Sequence, residues 1–198
     1  MARRARSITP GLPHHIVHFG RGGRLVFRGS GDYERYLHWL SELAPEGGLK
    51  VWAYCLLPTH VHLIVVPESR RALGVTLRTL HTKHSQWLDI SYPPGLHGWE
   101  SRYGSAVIEE QLAEAVRYVE RNPVRAGKVK RAEDYPWSSA AGHCGVREDG
   151  VLDPGMPLVG KVPDWSLWLW SRENQEVAER LRGRTHPGGP AARRPSLG

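Results

Sequence analysis

The stretch Tyr54-Cys-Leu-Leu-Pro-Thr-His-Val-His-Leu-Ile-Val-Val-Pro67 decides how this chain of 198 residues folds. Apolar runs on both sides of its Pro-Thr pair predict two strands, Lys50 to Leu57 and Val61 to Val66, joined by a tight turn. Residues two apart on a strand point to the same face, so the valine between them can enter a core while His60 and His62 converge on one point. Two converging imidazoles are a candidate metal site that still needs a third ligand.

A second segment, Leu112-Ala-Glu-Ala-Val-Arg-Tyr-Val-Glu-Arg-Asn-Pro123, predicts a helix with a tyrosine and an amide near its end. Tyr118 and Asn122 are four residues apart, so they lie together on one flank of the buried stripe. Pro123 disfavours helical backbone at Asn122 and is expected to end the helix there. If this helix faces the histidine strand, Asn122 is a candidate third ligand and Tyr118 a candidate metal-assisted nucleophile.

Each of these residues also has an ordinary structural explanation. An isolated His-x-His pair is more often two hydrogen-bonded strand histidines than a metal site. Tyr118 taken alone is more often a half-buried packing residue, and Asn122 a helix-end residue before proline. Five further histidines form two groups. In the first strand, His14, His15 and His18 could lie near the site or on a polar strand face. In the second helix, His81 and His84 are expected on the solvated side.

The order of predicted elements defines a fold class. A first strand at Pro13 to Phe19 and a short strand at Leu25 to Phe27 precede a helix from Asp32 to Leu43. After the two central strands come a helix from Arg71 to Ile90 and a strand from Tyr103 to Ile108. This order predicts an α+β, ferredoxin-like sandwich, with an antiparallel sheet, helices on one face and a C-terminal extension.

Composition restricts the setting of the protein. With 40% hydrophobic residues the chain can bury one sizeable core, and no run reaches the length of a membrane span. The N-terminus carries arginines followed by prolines rather than a signal-peptide core, so we expect a soluble, cytoplasmic protein without a membrane partner. Cys55 and Cys144 lack metal-site spacing and are expected to be reduced thiols.

Positive charge is concentrated at the two ends of the chain, whose formal net charge is +7. Residues 1–28 hold six arginines and residues 180–198 hold five, with no acidic residue in either segment. The rest of the chain has 16 basic and 20 acidic residues. Basic ends suit a phosphate backbone, although arginine-rich tails that only confer solubility are an open alternative.

Basic residues beside aromatic residues or in glycine-rich turns are candidate DNA contacts. Charge combined with stacking surface is typical of single-stranded DNA binding, whereas a solvated basic loop explains any single member equally well. The candidates are Arg21 and Arg24 in a Gly-rich turn, Arg102 beside Trp99 and Tyr103, and Arg125, Lys128, Lys130 and Arg131 after the tyrosine helix.

Three segments agree in order and spacing with one known family. They are His60-Val61-His62 after Leu57-Pro58, Tyr118-Val-Glu-Arg-Asn-Pro-Val-Arg-Ala-Gly127, and Tyr135-Pro-Trp-Ser-Ser139. The chain resembles the REP-associated tyrosine transposases, which belong to the HUH single-tyrosine transposases, from its first strand to Ala140. The resemblance implies the ferredoxin-like fold and a metal-dependent endonuclease that cleaves and rejoins hairpin-bearing single-stranded repeat DNA.

The resemblance also assigns roles to the candidate residues. It implies that His60, His62 and Asn122 hold a divalent metal, Mg or Mn, and that Tyr118 forms a 5′-phosphotyrosine intermediate. The donor set alone leaves the metal open, because imidazole also suits Zn, Cu, Fe and Ni. It further implies a transposase domain at 1–140 and favours a monomer over a homodimer. The composition of the rest of the chain predicts an extension at 141–182 and a disordered basic tail at 183–198, which has Pro and Arg but no apolar periodicity.

Some positions depart from the family pattern without removing a candidate catalytic residue. Gly22-Gly23 replaces a usual asparagine pair, Thr59 an asparagine, and Tyr103-Gly104 a phenylalanine-lysine pair, so DNA recognition is expected to differ in detail. Two other functions stay open. One is a domesticated hairpin-DNA-binding protein without cleavage activity, and the other a small metal-dependent hydrolase that uses water and does not need Tyr118.

Overall fold

A computed structural model describes residues 8–93, 95–171 and 175–185 of the chain. Four strands form one antiparallel sheet in the order β2-β3-β1-β4: β1 (His14–Phe19), β2 (Leu49–Leu57), β3 (His60–Pro67) and β4 (Gly104–Val107). Helix α1 (Ser30–Glu46) connects β1 to β2, and α2 (Ala72–Ser91) connects β3 to β4. The predicted ferredoxin-like α+β fold is therefore confirmed.

Both faces of the sheet are buried, because alternate residues of β3 enter two different cores. Val61, Leu63 and Val65 pack in one core with the apolar faces of α1 and α2, which form the predicted helical layer. Ile64 and Val66 pack in a second core with the chain that follows β4. That chain adds a second layer on the opposite face, which begins with α3 (Leu112–Glu120) and α4 (Asn122–Arg125).

The rest of the second layer contains short helices. They are α5 (Ala140–His143), α6 (Trp165–Trp170) and α7 (Gln175–Thr185). The tryptophan-rich segment forms α6, and α7 begins at Gln175. Residues 183–185 of the predicted tail belong to α7, and the rest of that tail lies outside the described residues. The domain boundaries at 140 and 182 stay predictions.

One buried carboxylate organises the start of α1. Asp32 accepts backbone N–H groups of Arg28 and Gly29 at 2.8 and 3.2 Å, the Trp87 indole N–H at 3.0 Å and the Tyr92 hydroxyl at 2.9 Å. Burial raises the pKa of Asp32, but these four hydrogen bonds outweigh it and hold the pKa below its ordinary value. The same carboxylate therefore caps α1 and links it to α2.

The predicted short strand at Leu25 to Phe27 is wrong. The backbone N–H groups of Val26 and Phe27 both donate to the Pro58 carbonyl, at 2.8 and 3.1 Å, and both side chains are buried. This segment covers the turn between β2 and β3 instead of pairing with the sheet. Val26 and Phe27 are apolar because they pack in the core that contains α1 and α2.

The expectation that His81 and His84 lie on the solvated side of α2 is also wrong, because both are buried. They are spaced by three or four residues from the buried leucines of α2 and therefore share the same face. His18 donates from Nε2 to the Glu100 carbonyl at 2.8 Å, its Nδ1 lies 3.0 Å from His81 Nδ1, and Tyr36 Oη lies 3.0 Å from His81 Nε2. Burial lowers the pKa of His84 to about 4 and lowers that of His81 well below its ordinary value.

The predictions for the cysteines and for membrane spans were tested on the described residues. Cys55 and Cys144 are both free thiols, as predicted. In the described ranges, no helix combines the length and the apolar character needed to cross a bilayer.

Candidate active site

The two histidines of β3 share one face of the sheet, as the alternation predicted. His60 is half-buried at the start of the strand, where its ring stacks on Phe19 at 4.9 Å and its Nδ1 lies 3.0 Å from Thr59 Oγ1. His62 is 1% exposed. The two imidazole centroids are 5.0 Å apart, with ring planes at 75°. This pair lies in the layer that contains α3, away from α1 and α2.

His15 of β1 completes a three-histidine cluster. Its ring stacks on His62 with centroids 5.3 Å apart and planes within 7°, and its Nε2 lies 3.1 Å from His62 Nδ1. The antiparallel register places His15 opposite Ile64, so it is a diagonal neighbour of His62 on the same face. A hydrogen bond between two imidazoles needs one donor and one acceptor nitrogen, so at least one ring must be neutral.

Tyr118 of α3 lies against this cluster. Its side chain is 3% exposed, and its ring makes edge contacts with His15 at 5.7 Å and with His62 at 5.9 Å. The Arg125 guanidinium lies over the tyrosine ring, 4.1 Å from its centroid, and donates a hydrogen bond to the Tyr118 carbonyl. The structure therefore places Tyr118 against His62, one of the two predicted histidines, and against His15.

Asn122 lies one helical turn after Tyr118 and is the first residue of α4. Helix α3 ends at Glu120, two residues earlier than predicted, but helical hydrogen bonding continues from Arg125 N–H to the Arg121 carbonyl at 3.0 Å. Asn122 is buried, and its Nδ2 donates to the carbonyls of Tyr118 and Val119 at 3.1 and 3.3 Å. Because carbonyls only accept, the amide nitrogen must face the helix, and Oδ1 is the amide atom that can bind a metal.

The chemistry of these side chains, two imidazoles and an amide oxygen, is of a kind that divalent metal ions accept. His60 and His62 each engage Nδ1 with a protein neighbour, so coordination would use Nε2, and such outer partners are typical of metal-binding histidines. Within residues 8–93, 95–171 and 175–185, no group of three or more His, Cys, Asp or Glu side chains could hold a metal. A third protein ligand would therefore be of another type, for which the Asn122 amide oxygen is suited.

Two of the predicted DNA-contacting arginines line one cavity of about 620 Å³. Arg21 and Arg102 share it with Arg78 of α2, which the sequence analysis did not single out. Arg24 lies outside this lining, and its Nη1 donates to the Gly95 carbonyl at 2.5 Å. The cavity also includes His18, the residue before Phe19 in β1. Phe19 stacks on His60, whereas His18 points to the other face of the sheet, so the cavity and the histidine pair lie on different faces.

The four predicted basic residues after α3 differ in their surroundings. Arg125 contacts Tyr118, and Arg131 donates to Glu133 Oε1 from Nε at 2.8 Å and to Ser166 Oγ at 2.6 Å. Lys128 and Lys130 are exposed. The two arginines therefore have partners within the protein, and the lysines have more surface available for a phosphate.

Comparison with known proteins gives consistent matches. A family model described as "Transposase IS200 like" matches residues 9–122. A REP-associated tyrosine transposase of Haemophilus influenzae is 26% identical over 129 residues, which cover 56% of this chain and 71% of that protein. A solved structure of a REP-associated tyrosine transposase bound to a REP hairpin superposes with a TM-score of 0.61 at 20% identity, over 75% of this chain and 88% of that chain. The structural match shows a shared fold.

Proposed function

Because this chain belongs to the IS200-like transposase family, we propose that it is a metal-dependent endonuclease and transposase for single-stranded, hairpin-bearing repeat DNA. It cleaves and rejoins this DNA through a 5′-phosphotyrosine intermediate. The observation that carries the proposal is the edge contact of the Tyr118 ring with His62, in a layer that also contains His60 and His15. A tyrosine that only packs does not need two buried histidines against its ring.

Tyr118 acts as the nucleophile in this proposal. Its Oη attacks the scissile phosphorus and loses its proton, since the ordinary tyrosine pKa of about 10 leaves little phenolate at neutral pH. The bond from phosphorus to the 3′ oxygen breaks, and that oxygen takes up a proton and leaves as a 3′-hydroxyl. Attack of another 3′-hydroxyl on the phosphotyrosine reverses these steps and joins two strands.

His60, His62 and Asn122 are the proposed metal ligands. The bound ion would orient the scissile phosphate and offset the charge that develops on it. The Nδ1 contacts of His60 with Thr59 and of His62 with His15 hold both rings in place for coordination through Nε2. We propose Mg or Mn from the family resemblance, and a metal titration must decide between these and the softer ions that imidazole also binds.

The arginines around the large cavity are the proposed path of the DNA strand. Arg21, Arg78 and Arg102 supply positive charge beside the aromatic side chains of Trp99 and Tyr103. Guanidinium groups combined with aromatic surface are suited to phosphates and unpaired bases. The match to a relative that is bound to a REP hairpin supports hairpin DNA as the ligand.

The test compares wild-type protein, Tyr118→Phe and Tyr135→Phe on 5′- and 3′-labelled hairpin DNAs, with Mg, with Mn and with chelator. Tyr135 is the matched control, because it is buried in the same core and its hydroxyl donates to the Leu56 carbonyl at 2.9 Å, away from the site. We expect a metal-dependent covalent adduct on the 3′ fragment that Tyr118→Phe abolishes and Tyr135→Phe retains.

Each other outcome points to a different function. Covalent attachment that survives Tyr118→Phe would refute the proposed nucleophile. Tight hairpin binding without any adduct from wild-type protein would identify a binding protein without cleavage activity. Metal-dependent cleavage that needs His60 and His62 but not Tyr118 would identify a hydrolase that uses water.

A further inference from the structure

A fully buried carboxylate lies on the helix that carries Tyr118. Glu120 is 0% exposed and accepts three hydrogen bonds, from Ser139 Oγ at 2.6 Å, His143 Nδ1 at 2.6 Å and Trp165 Nε1 at 2.7 Å. A buried carboxylate is tolerated only when such donors compensate its lost hydration. These partners come from 19 to 45 residues further along the chain.

The donors connect Glu120 to two other parts of the fold. Ser139 Oγ also accepts the backbone N–H of Tyr54 at 3.0 Å, which ties the carboxylate to strand β2. Trp165 is the first residue of α6, and its ring lies 4.5 Å from that of His143. Glu120 therefore joins the tyrosine helix both to the sheet and to the C-terminal extension.

Helix α6 holds the same helix at two further points. Arg121 Nη1 donates to the carbonyls of Leu169 and Ser171, each at 2.7 Å. The Arg117 guanidinium lies 4.4 Å from the centroid of the Trp168 ring. Contacts of α6 with positions 117, 120 and 121 fix one side of the helix, whereas the side chain of Tyr118 contacts the histidines of the sheet.

We infer that Glu120 is a positioning residue, and that its hydrogen bonds with Ser139, His143 and Trp165 fix the rotation of α3 so that Tyr118 meets His15 and His62. Residues two apart on a helix are about 200° apart around its axis, so restraint of Glu120 on one side determines where Tyr118 points on the other. The inference rests on the proposed function for its catalytic consequence. It makes the C-terminal extension a part of the active-site architecture.

The first test is Trp165→Phe, which removes one hydrogen-bond donor and keeps an aromatic ring. Its matched control is Trp52→Phe, because Trp52 is buried in the same core and its Nε1 has no hydrogen-bond partner within the described part of the chain. We expect Trp165→Phe to lower the cleavage rate at saturating hairpin DNA about tenfold or more, since small displacements of a reacting group are costly. The Kd for hairpin DNA should stay within about twofold, and Trp52→Phe should behave as wild type.

A second measurement does not depend on activity. Amide hydrogen exchange should show lower protection of residues 112–120 in Trp165→Phe than in Trp52→Phe, because the anchored side of α3 is released. If wild-type protein does not cleave DNA, the proposed function fails while this exchange result still tests the positioning role. Equal protection in the two variants would overturn the inference.

Glu120→Gln is the second variant and replaces Trp165→Phe if that protein unfolds at the assay temperature. It keeps the size of the side chain. The amide nitrogen donates rather than accepts, so either Trp165 loses its acceptor or Ser139 and His143 must both change from donors to acceptors. We expect the same result, with slower cleavage and unchanged hairpin Kd. If the cleavage rate and the hairpin affinity both fall in proportion to the decrease in melting temperature, Glu120 has a merely structural role.

Discussion

Replacing His15 with phenylalanine tests whether the histidine pair across β1 and β3 sets the affinity for metal. A phenyl ring can keep the stacked position on His62, now at 5.3 Å, and the edge contact with Tyr118 at 5.7 Å. It cannot keep the hydrogen bond from position 15 to His62 Nδ1, now 3.1 Å long. The substitution therefore removes the outer partner of a proposed metal ligand and leaves the packing nearly unchanged.

The expected size follows from this geometry. Loss of an outer partner of a metal-binding histidine typically weakens metal binding or activity by about 10- to 100-fold. We therefore expect the half-saturating metal concentration for cleavage to rise at least about tenfold, which corresponds to about 1.4 kcal/mol. A ring of similar size in the same place should change the free energy of unfolding by less than about 1.5 kcal/mol.

The assay is cleavage of labelled hairpin DNA over a range of metal concentrations, with hairpin binding measured in chelator. His14→Phe is the matched control, because His14 is the adjacent, equally buried residue on the other face, where its Nδ1 lies 3.3 Å from Ser105 Oγ. An unchanged half-saturation in His15→Phe would refute the assigned role. The same shift in His14→Phe would show that general disturbance of β1, rather than the contact with His62, is responsible.

Two further predictions concern acid stability and DNA affinity. Burial lowers the pKa of His84 from 6.5 to about 4. Between these two values the unfolded state binds a proton at His84 and the folded state does not, which lowers the free energy of unfolding by about 2 kcal/mol at about pH 5. Above the pKa of the unfolded state this effect disappears. His84→Met should thus lose less stability between about pH 7 and pH 5 than wild type in urea denaturation, and an equal loss would contradict the buried neutral histidine. Combined Arg21→Ala and Arg102→Ala should make the salt dependence of single-stranded DNA binding shallower by about 1.4 in the log–log slope, since each lost phosphate contact contributes about 0.7. Arg24→Ala, outside the cavity lining, should change this slope less; an equal change would remove the special role of the cavity.

Local periodicity made part of the site predictable. Alternation along β3 is enough to place His60 and His62 on one face, and helical spacing is enough to place Asn122 one turn from Tyr118. Periodicity did not show that α3 packs against the histidine face of β3, and this expectation came from the family resemblance. Strand and helix order predicted the sheet for the same local reason, whereas the second layer on its far face was not foreseen.

Contacts that depend on register or on distant parts of the chain could not be predicted. Alternation along β1 separates His15 from His14 and His18, but only the pairing of His15 with Ile64 shows that His15 is the neighbour of His62. Glu120 resembles any exposed helix glutamate, because its donors come from segments with no periodic relation to it. The misassigned His81 and His84 show that spacing was the better guide, since polarity alone suggested solvent.

Strand β3 serves two cores at once, and this limits how the length of the chain can change. An inserted or deleted residue between His60 and Val66 would turn every following side chain of the strand to the opposite face and exchange the residues of the two cores. Length changes are therefore expected only outside the strands, for example in the turn around Arg21–Gly23, whose residues are exposed. This turn borders the arginine-lined cavity where we propose that DNA binds, so a change of length there would alter the proposed DNA contacts without moving the tyrosine or the histidines.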